Sequence, residues 1–300
     1  MFNILTFGEL LYDVYNDVSV IGGAPFNYSV QLSRLLNDND KLKFITALGN
    51  DELSNDAIDF IKKENIDYSL IQINNKYNTG KATVFLNEKK VPDYIIHEDA
   101  AWDNIEYNEK VENALKEKYD LFYFNILSQR NECSYNTIKK IYNNIDSKYK
   151  ICDVTFRKTY YTKEKIEEAL KFINILKIND DELYTIKNIF YPTLENDNEK
   201  LLKTLSKDFN IEYIFLTLGA EGASVLYNNE YIFKPSNKIK VVDTVGAGDS
   251  FAAALSYAIL NNLYIRKVLD FASTVSEQMV QLKGGTAKYN TAEIKKLFNI

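Results

Sequence analysis

In Val241-Val242-Asp243-Thr244-Val245-Gly246-Ala247-Gly248-Asp249-Ser250-Phe251, glycines crowd the point where apolar chain gives way to a helical pattern. The run from Ile239 to Val242 reads as a strand, and Ser250 to Leu260 reads as a helix. A strand, a glycine turn and a helix start together present unpaired backbone N–H groups at the positive end of a helix dipole. That is an anion site, and phosphate suits it. Gly246, Ala247 and Gly248 leave room for a ligand to reach the backbone. Asp249 then stands as a carboxylate at the mouth of a site built for negative charge. Asp at a helix start also serves as a plain cap. A simple phosphate cradle would avoid this residue, whereas phosphoryl transfer needs one to take the proton from an attacking hydroxyl. No Lys-Ser/Thr follows the glycines, so the turn is not a Walker A loop, and it lacks the third glycine of a dinucleotide fingerprint.

Outward from this turn, short apolar runs alternate with amphipathic stretches. Strands are expected at Asn3–Phe7, Leu42–Leu48, Leu121–Phe124, Lys150–Asp153, Ile173–Ile178 and Tyr213–Thr217. Helices are expected at Ala24–Leu36, Ser54–Glu64, Glu109–Lys118, Tyr135–Asn144 and Lys163–Leu170, then at Glu199–Phe209, Asp249–Leu260 and Arg266–Gln281. The alternation predicts parallel βαβ units, with ligands bound beyond the carboxyl ends of the strands. Lys81–Leu86 and Asp93–His97 break the rhythm as two strands joined by a polar turn, a sheet-edge decoration or a flap. A single domain over residues 1–300 with a small β outgrowth is expected.

Composition narrows the partners. The net charge of −6 gives no basic footprint for nucleic acid. Cys133 and Cys152 lack metal-ligand spacing and suggest a reducing compartment, and His97 is the sole histidine. The chain starts on a strand-like run without a signal pattern, and no apolar stretch is long enough to span a membrane. A cytoplasmic protein is expected.

Near the N-terminus, Gly22-Gly23-Ala24-Pro25-Phe26-Asn27 leads into a helix, and Gly8-Glu9-Leu10-Leu11-Tyr12-Asp13 ends the first strand. Asp13 and Asn27 can jointly hold sugar-type hydroxyls, since Asp accepts hydrogen bonds and Asn both donates and accepts. With the Gly-Gly-x-x-x-Asn helix start and Asp-Thr-x-Gly-Ala-Gly-Asp in this order, the chain resembles the ribokinase-like carbohydrate kinases, the phosphofructokinase-B family, over nearly its whole length. The fructokinase-like branch fits best, on the Gly-Glu-x-x-x-Asp start, the Gly-Gly-Ala-Pro turn and Asp153-Val154-Thr155-Phe156-Arg157.

The resemblance implies an α/β fold with a mainly parallel central sheet flanked by helices and a small β lid made of residues 12–21 and 81–103. It implies ATP-dependent phosphorylation of a sugar hydroxyl, with fructose as the expected acceptor. Ribose, 2-keto-3-deoxygluconate and a nucleoside are the alternatives, and a catalytically silent sugar or nucleotide sensor is the contrasting class. Asp249 is implied as the general base, and the N–H groups of Gly246, Ala247, Gly248 and Asp249 as the anion hole. Arg157 would offset transferred charge, and Asp13, Gly23 and Asn27 would contact the sugar. Thr217, Gly219 and Gly222, from a Thr-x-Gly-x-x-Gly turn, would lie beside the nucleotide, as would Gly285 from Lys283-Gly284-Gly285-Thr286. Asn179 and Glu182 would order Mg²⁺ through water, and Asp243 would help to hold a monovalent cation such as K⁺. The implied partners are the sugar and ATP, and an exposed lid edge could pair two copies into a homodimer.

The sequence departs from the family pattern at Thr155, where relatives carry Asn, and at Asn125, where they often carry a small Gly-Ser pair. A bulkier Asn125 is expected to affect which sugar fits. Trp102 is expected to pack the lid base and His97 to lie on the lid surface. Gln129 and Arg130 read equally well as substrate-side or solvent-facing.

Overall fold

The structure, a computed structural model, describes residues 1–15, 18–86, 92–158 and 160–300. The first half of the chain forms β1 (Asn3–Phe7), β2 (Leu11–Tyr15), β3 (Val18–Gly22), α1 (Ala24–Leu35), β4 (Lys41–Gly49), α2 (Glu52–Lys63) and β5 (Ile71–Asn74). There follow β6 (Gly80–Leu86), β7 (Pro92–Ile96), α3 (Glu109–Ala114), β8 (Lys118–Asn125), α4 (Glu132–Asn144) and β9 (Asp146–Asp153). The second half adds α5 (Lys163–Phe172), β10 (Ile175–Asn179), α6 (Asp180–Phe190), α7 (Asn198–Phe209) and β11 (Tyr213–Thr217). It closes with β12 (Gly222–Tyr227), β13 (Glu230–Pro235), α8 (Ala247–Leu260), α9 (Ile265–Met279) and α10 (Thr291–Leu297).

Nine strands form the main sheet in the order β13-β12-β11-β10-β9-β8-β1-β4-β5. Neighbours from β5 to β11 run parallel, and β12 and β13 are added antiparallel at one edge. This is the expected α/β architecture with a large, mainly parallel sheet between helices. A parallel sheet is apolar on both faces, and β8 shows how. Leu121 and Tyr123 face one core with Tyr28, Phe251 and Phe271, while Phe122 and Phe124 face the other with Ile138, Ile166 and Leu202. α8 is buried from Ser250 to Leu260, and its small residues Ala252, Ala253, Ala254 and Ala258 let it pack closely between α1 and α9.

Four strands form a second sheet in the order β3-β2-β6-β7. The hairpin read from sequence is present as antiparallel β6 and β7, and its turn, residues 87–91, lies outside the described residues. β2 and β3, which sequence periodicity did not identify, join it through a parallel pairing of β2 with β6. In this pairing Asp13, Val20, Ala82 and Ile96 share one face.

Several expectations need correction. Ile239–Val242 is not a strand: Val241 and Val242 are 55% and 56% exposed, and Val242 N and Asp243 N bond to Val280 O after α9 instead of to a ladder. The following helix starts at Ala247, ahead of Asp249. α3 stops at Ala114, because Lys118 already belongs to β8. β5, β12, β13, α6 and α10 have no counterpart among the elements expected from the sequence. Among the described residues no helix is long and apolar enough to cross a membrane.

Candidate active site

The carboxyl ends of β1, β9, β10 and β11 open onto a cleft of about 1000 Å³, roofed by Leu11, Asp13, Ala82 and Ile96 of the second sheet. Strand register sets its wall. Asn125 pairs with Asp153, Asp153 with Lys177, and Asn179 with Thr217, so β8 and β9 end level with Lys177 while β10 and β11 run on to Asn179 and Thr217 at the same edge of the sheet.

At the centre lies the turn before α8. Gly246 caps the helix with φ 77, a left-handed conformation that glycine adopts without penalty. A Cβ there would also meet Gly285 Cα at 2.5 Å, so the turn rests backbone to backbone on the 284–286 loop. Among the described residues, the N–H groups of Gly246, Gly248 and Asp249 have no acceptor, whereas Ala247 N donates to Thr244 O at 3.2 Å. The expected four-donor hole is therefore three free donors and one spent on closing the turn.

Asp249 does not cap its own helix. Its Oδ2 accepts from Asn27 Nδ2 of α1 at 2.8 Å, which joins the expected sugar contact to the expected base. Burial and, after it, Asp153 raise the Asp249 carboxyl, Asn27, Lys177 and Arg157 pull it down, and the balance leaves it at about 7. A carboxyl poised near neutrality suits general-base work. Asp13, Gly23, Asn27, Arg157 and Asp249 all line the same end of the cleft. Burial lifts Asp13 to about 6 against the opposing charge of Arg157. Arg157 is exposed and makes one local bond, Nη1 to Phe156 O, leaving its guanidinium available at the cleft.

Glu9 also belongs to this end, although the sequence reading gave it no role. It is 1% exposed, and Oε1 accepts from Asn125 Nδ2 at 2.8 Å and Ala24 N at 3.3 Å, while Oε2 has no partner. Burial raises its carboxyl to about 7. Asn125 is fully committed, since its Oδ1 also accepts from Ser128 N. It does not line the cleft, and it reaches the acceptor end only through Glu9.

Thr155 occupies the left-handed region at φ 46, which Asn tolerates and a β-branched residue does not favour. This gives the departure from the family's Asn a physical consequence. Lys177, also passed over, is buried beside Asp153; a lysine inside the apolar run of β10 was the signal in the sequence.

Asn179 and Glu182 form a capping box at the start of α6: Glu182 N donates to Asn179 Oδ1 and Asn179 N to Glu182 Oε2. Glu182 Oε1 accepts from Phe156 N, and burial raises the Glu182 carboxyl. Both side chains line the cleft with Asp180 and Asp181, an all-oxygen set whose spare lone pairs suit a hydrated Mg²⁺. Thr217, Gly219 and Gly222 line the far end, towards Lys234 and Val241. Two other expected residues lie off the cleft wall. Gly285 is packed between Gly246 and Asn27, and Asp243 accepts from Val245 N and Gly284 N, tying the two loops together.

Trp102 is fully buried at the base of the second sheet, as expected, and His97 is exposed against Thr83. Arg130 is neither substrate-side nor solvent-facing. It pairs with Asp103 through Nε and Nη2 and stacks over Trp102 at 4.2 Å, while Gln129 is buried.

The family profile "pfkB family carbohydrate kinase" matches residues 3–292. An uncharacterized sugar kinase of Pyrococcus horikoshii, PH1459, is 28% identical, over 98% of this chain and 94% of its own. Its crystal structure in complex with ATP has a TM-score of 0.81 at 26% identity, covering 98% and 97% of the two chains. A ribokinase of Dictyostelium discoideum is 30% identical over 89% of this chain and 86% of its own. A fructokinase of Vibrio cholerae with fructose, ADP and calcium ion bound has the same fold, with a TM-score of 0.82 at 19% identity over 99% of each chain.

Proposed function

This chain belongs to the pfkB family of carbohydrate kinases, and from that premise we propose that it transfers the γ-phosphoryl group of ATP to a hydroxyl of fructose, with Asp249 as general base. The observation that carries this reading is the 2.8 Å bond between Asn27 and Asp249 beside the free N–H groups of Gly246, Gly248 and Asp249. A hydroxyl held by Asn27 and Asp13 meets the base and the anion hole at one point. Its oxygen bonds to the γ-phosphorus, the bond from that phosphorus to the bridging oxygen breaks, and ADP leaves. Asp249 takes the hydroxyl proton, and the backbone N–H groups with Arg157 meet the charge on the phosphoryl oxygens. Asn179 and Glu182 would hold Mg²⁺ through water, and the ion would draw charge from the phosphate oxygens. Asp243, between the two loops under the anion hole, would serve a monovalent cation such as K⁺.

The acceptor end is lined by hydrogen-bond acceptors, which favours a neutral polyol, and the Asp153–Arg157 turn, which resembles that of the fructokinase-like branch, favours fructose. The 30% identity to a ribokinase makes ribose the competitor. The free thiols Cys133 and Cys152 fit a reducing, cytoplasmic setting. The edge strand β3, with Val18 and Val20 exposed, suits pairing with a second lid, which light scattering would show as a dimer.

A panel of sugars with coupled ADP detection tests the assignment. Turnover on ribose and none on fructose would remove the fructose assignment and spare the kinase. Binding of sugar and ATP with no ADP release from any sugar would favour the silent sensor.

A further inference from the structure

β10 places Lys177 among the buried residues Ile175, Leu176 and Ile178. Its Nζ lies 2.9 Å from Asp153 Oδ1, with the two side chains 8% and 1% exposed. The ladder fixes the pair, since Lys177 and Asp153 are register partners. Asp153 Oδ2 accepts from Tyr123 OH at 3.4 Å, and Tyr123 stacks on Tyr28 at 3.5 Å between ring centres. Tyr28 in turn donates to Ser256 of α8. A Cβ on Gly248 would lie 2.9 Å from Lys177 Nζ, so the ammonium sits directly against the backbone that faces the phosphoryl group.

A buried ion pair is a weak source of stability, because apolar replacements of the same volume are often as stable. Its position offers a better reason for it. We propose that Lys177, paired with Asp153, is a positioning residue of phosphoryl transfer. Its ammonium supports the anion hole at Gly248 and offsets the carboxylates of Asp249 and Glu182, so that the base stays ionised as the phosphoryl group arrives. This rests on the sugar-kinase reading of the cleft.

Five charged and titratable groups face Asp249, from four places: Glu9 after β1, Tyr123 on β8, Asp153 and Arg157 at and just after the end of β9, and Lys177 on β10. Asp153 raises Asp249 and Lys177 lowers it. Removing one or the other should therefore move the base in opposite directions.

The test compares wild type, Lys177→Met, Asp153→Asn and the double variant, reading thermal midpoint, kcat, the KM for sugar and for ATP, and the pH profile of kcat. Lys177→Met should lower kcat by about 100-fold, as expected for loss of a preorganised electrostatic group. The KM for sugar should stay within about threefold, and the acid limb of kcat should rise by about one pH unit. Asp153→Asn should move that limb down. The double variant should return it towards wild type while kcat stays low. A Lys177→Met enzyme with a lowered midpoint but wild-type kcat and acid limb would overturn the proposal. If that variant does not fold, the double variant, which leaves neither charge unpaired, decides: wild-type kcat overturns the proposal and a loss of about 100-fold supports it. No ADP release by wild type on any sugar would instead remove the kinase reading, and the proposal with it.

Discussion

The two ends of the cleft are built differently. The end proposed for the acceptor is made of buried or half-buried side chains, Glu9, Asp13, Asn27, Asp153 and Asp249, brought from five separate stretches of chain. Burial lifts the carboxyls of Glu9, Asp13 and Asp249. The end proposed for the nucleotide is made largely of glycine turns and the exposed run around Val241. Tuned side chains do chemistry and make the acceptor end sensitive to single substitutions. Backbone surfaces bind a common cofactor and tolerate change. The acceptor end is thus where specificity and rate should be lost, and where stability has been given up for function.

The largest effect should come from Asp249→Asn, which removes the proposed base and should cut kcat by about 10³-fold with the fold intact, measured as sugar-dependent ADP release. Next is the pH dependence of kcat in wild type. Asp249 must be ionised and its carboxyl lies at about 7, so kcat should fall as pH drops below that value, by about tenfold per unit. A limb near pH 4 would mean that the acceptor end is not tuned as described.

Glu9→Gln should stabilise the protein at pH 8. Glu9 is raised from 4.5 to about 7, so its favourable contribution is complete below its unfolded value and is lost as pH rises through 7. Gln keeps an acceptor for Asn125 without the buried charge, and thermal or denaturant unfolding should show a gain of about 2 kcal/mol at pH 8 that vanishes near pH 4. Thr155→Asn should relieve the left-handed strain and add roughly 1 kcal/mol. At the other end, Val242→Ala removes only exposed apolar surface and should change stability by less than about 0.5 kcal/mol. A stability change as large as those expected at the acceptor end would erase the contrast.

Much of this was legible in linear sequence. The hairpin of β6 and β7 shows as two strand-like runs around a polar turn, and β8, β10, β11 and the carboxyl end of β9 show as largely apolar runs, because strands covered on both faces of a parallel sheet are lined mainly by apolar side chains. Asn27 and Asp249 were singled out separately, each at its own helix start. Other elements hid for physical reasons. β12 and β13 turn through Asn228 and Asn229 at φ 49 and 62, a two-residue hairpin turn whose Asn-Asn signal is weaker than Asn-Gly. Val241 and Val242 have strand-forming side chains but no ladder partner, so propensity misled there. Arg130 carries nothing in its local sequence to say that it stacks on Trp102, because the stacking depends on how the second sheet meets the first.

By itself, the sequence determined the alternating α/β order, the glycine turn with its carboxylate and the class of chemistry, since periodicity, turn chemistry and a helix N-terminus are local properties. The tertiary structure decided which side chains meet: Asn27 with Asp249, Glu9 with Asn125, and Lys177 with Asp153 beneath Gly248. It also decided which N–H groups of the turn stay free. Charge in a cleft is tuned by distance and burial, and both arise only when strands far apart in sequence meet at one edge of a sheet.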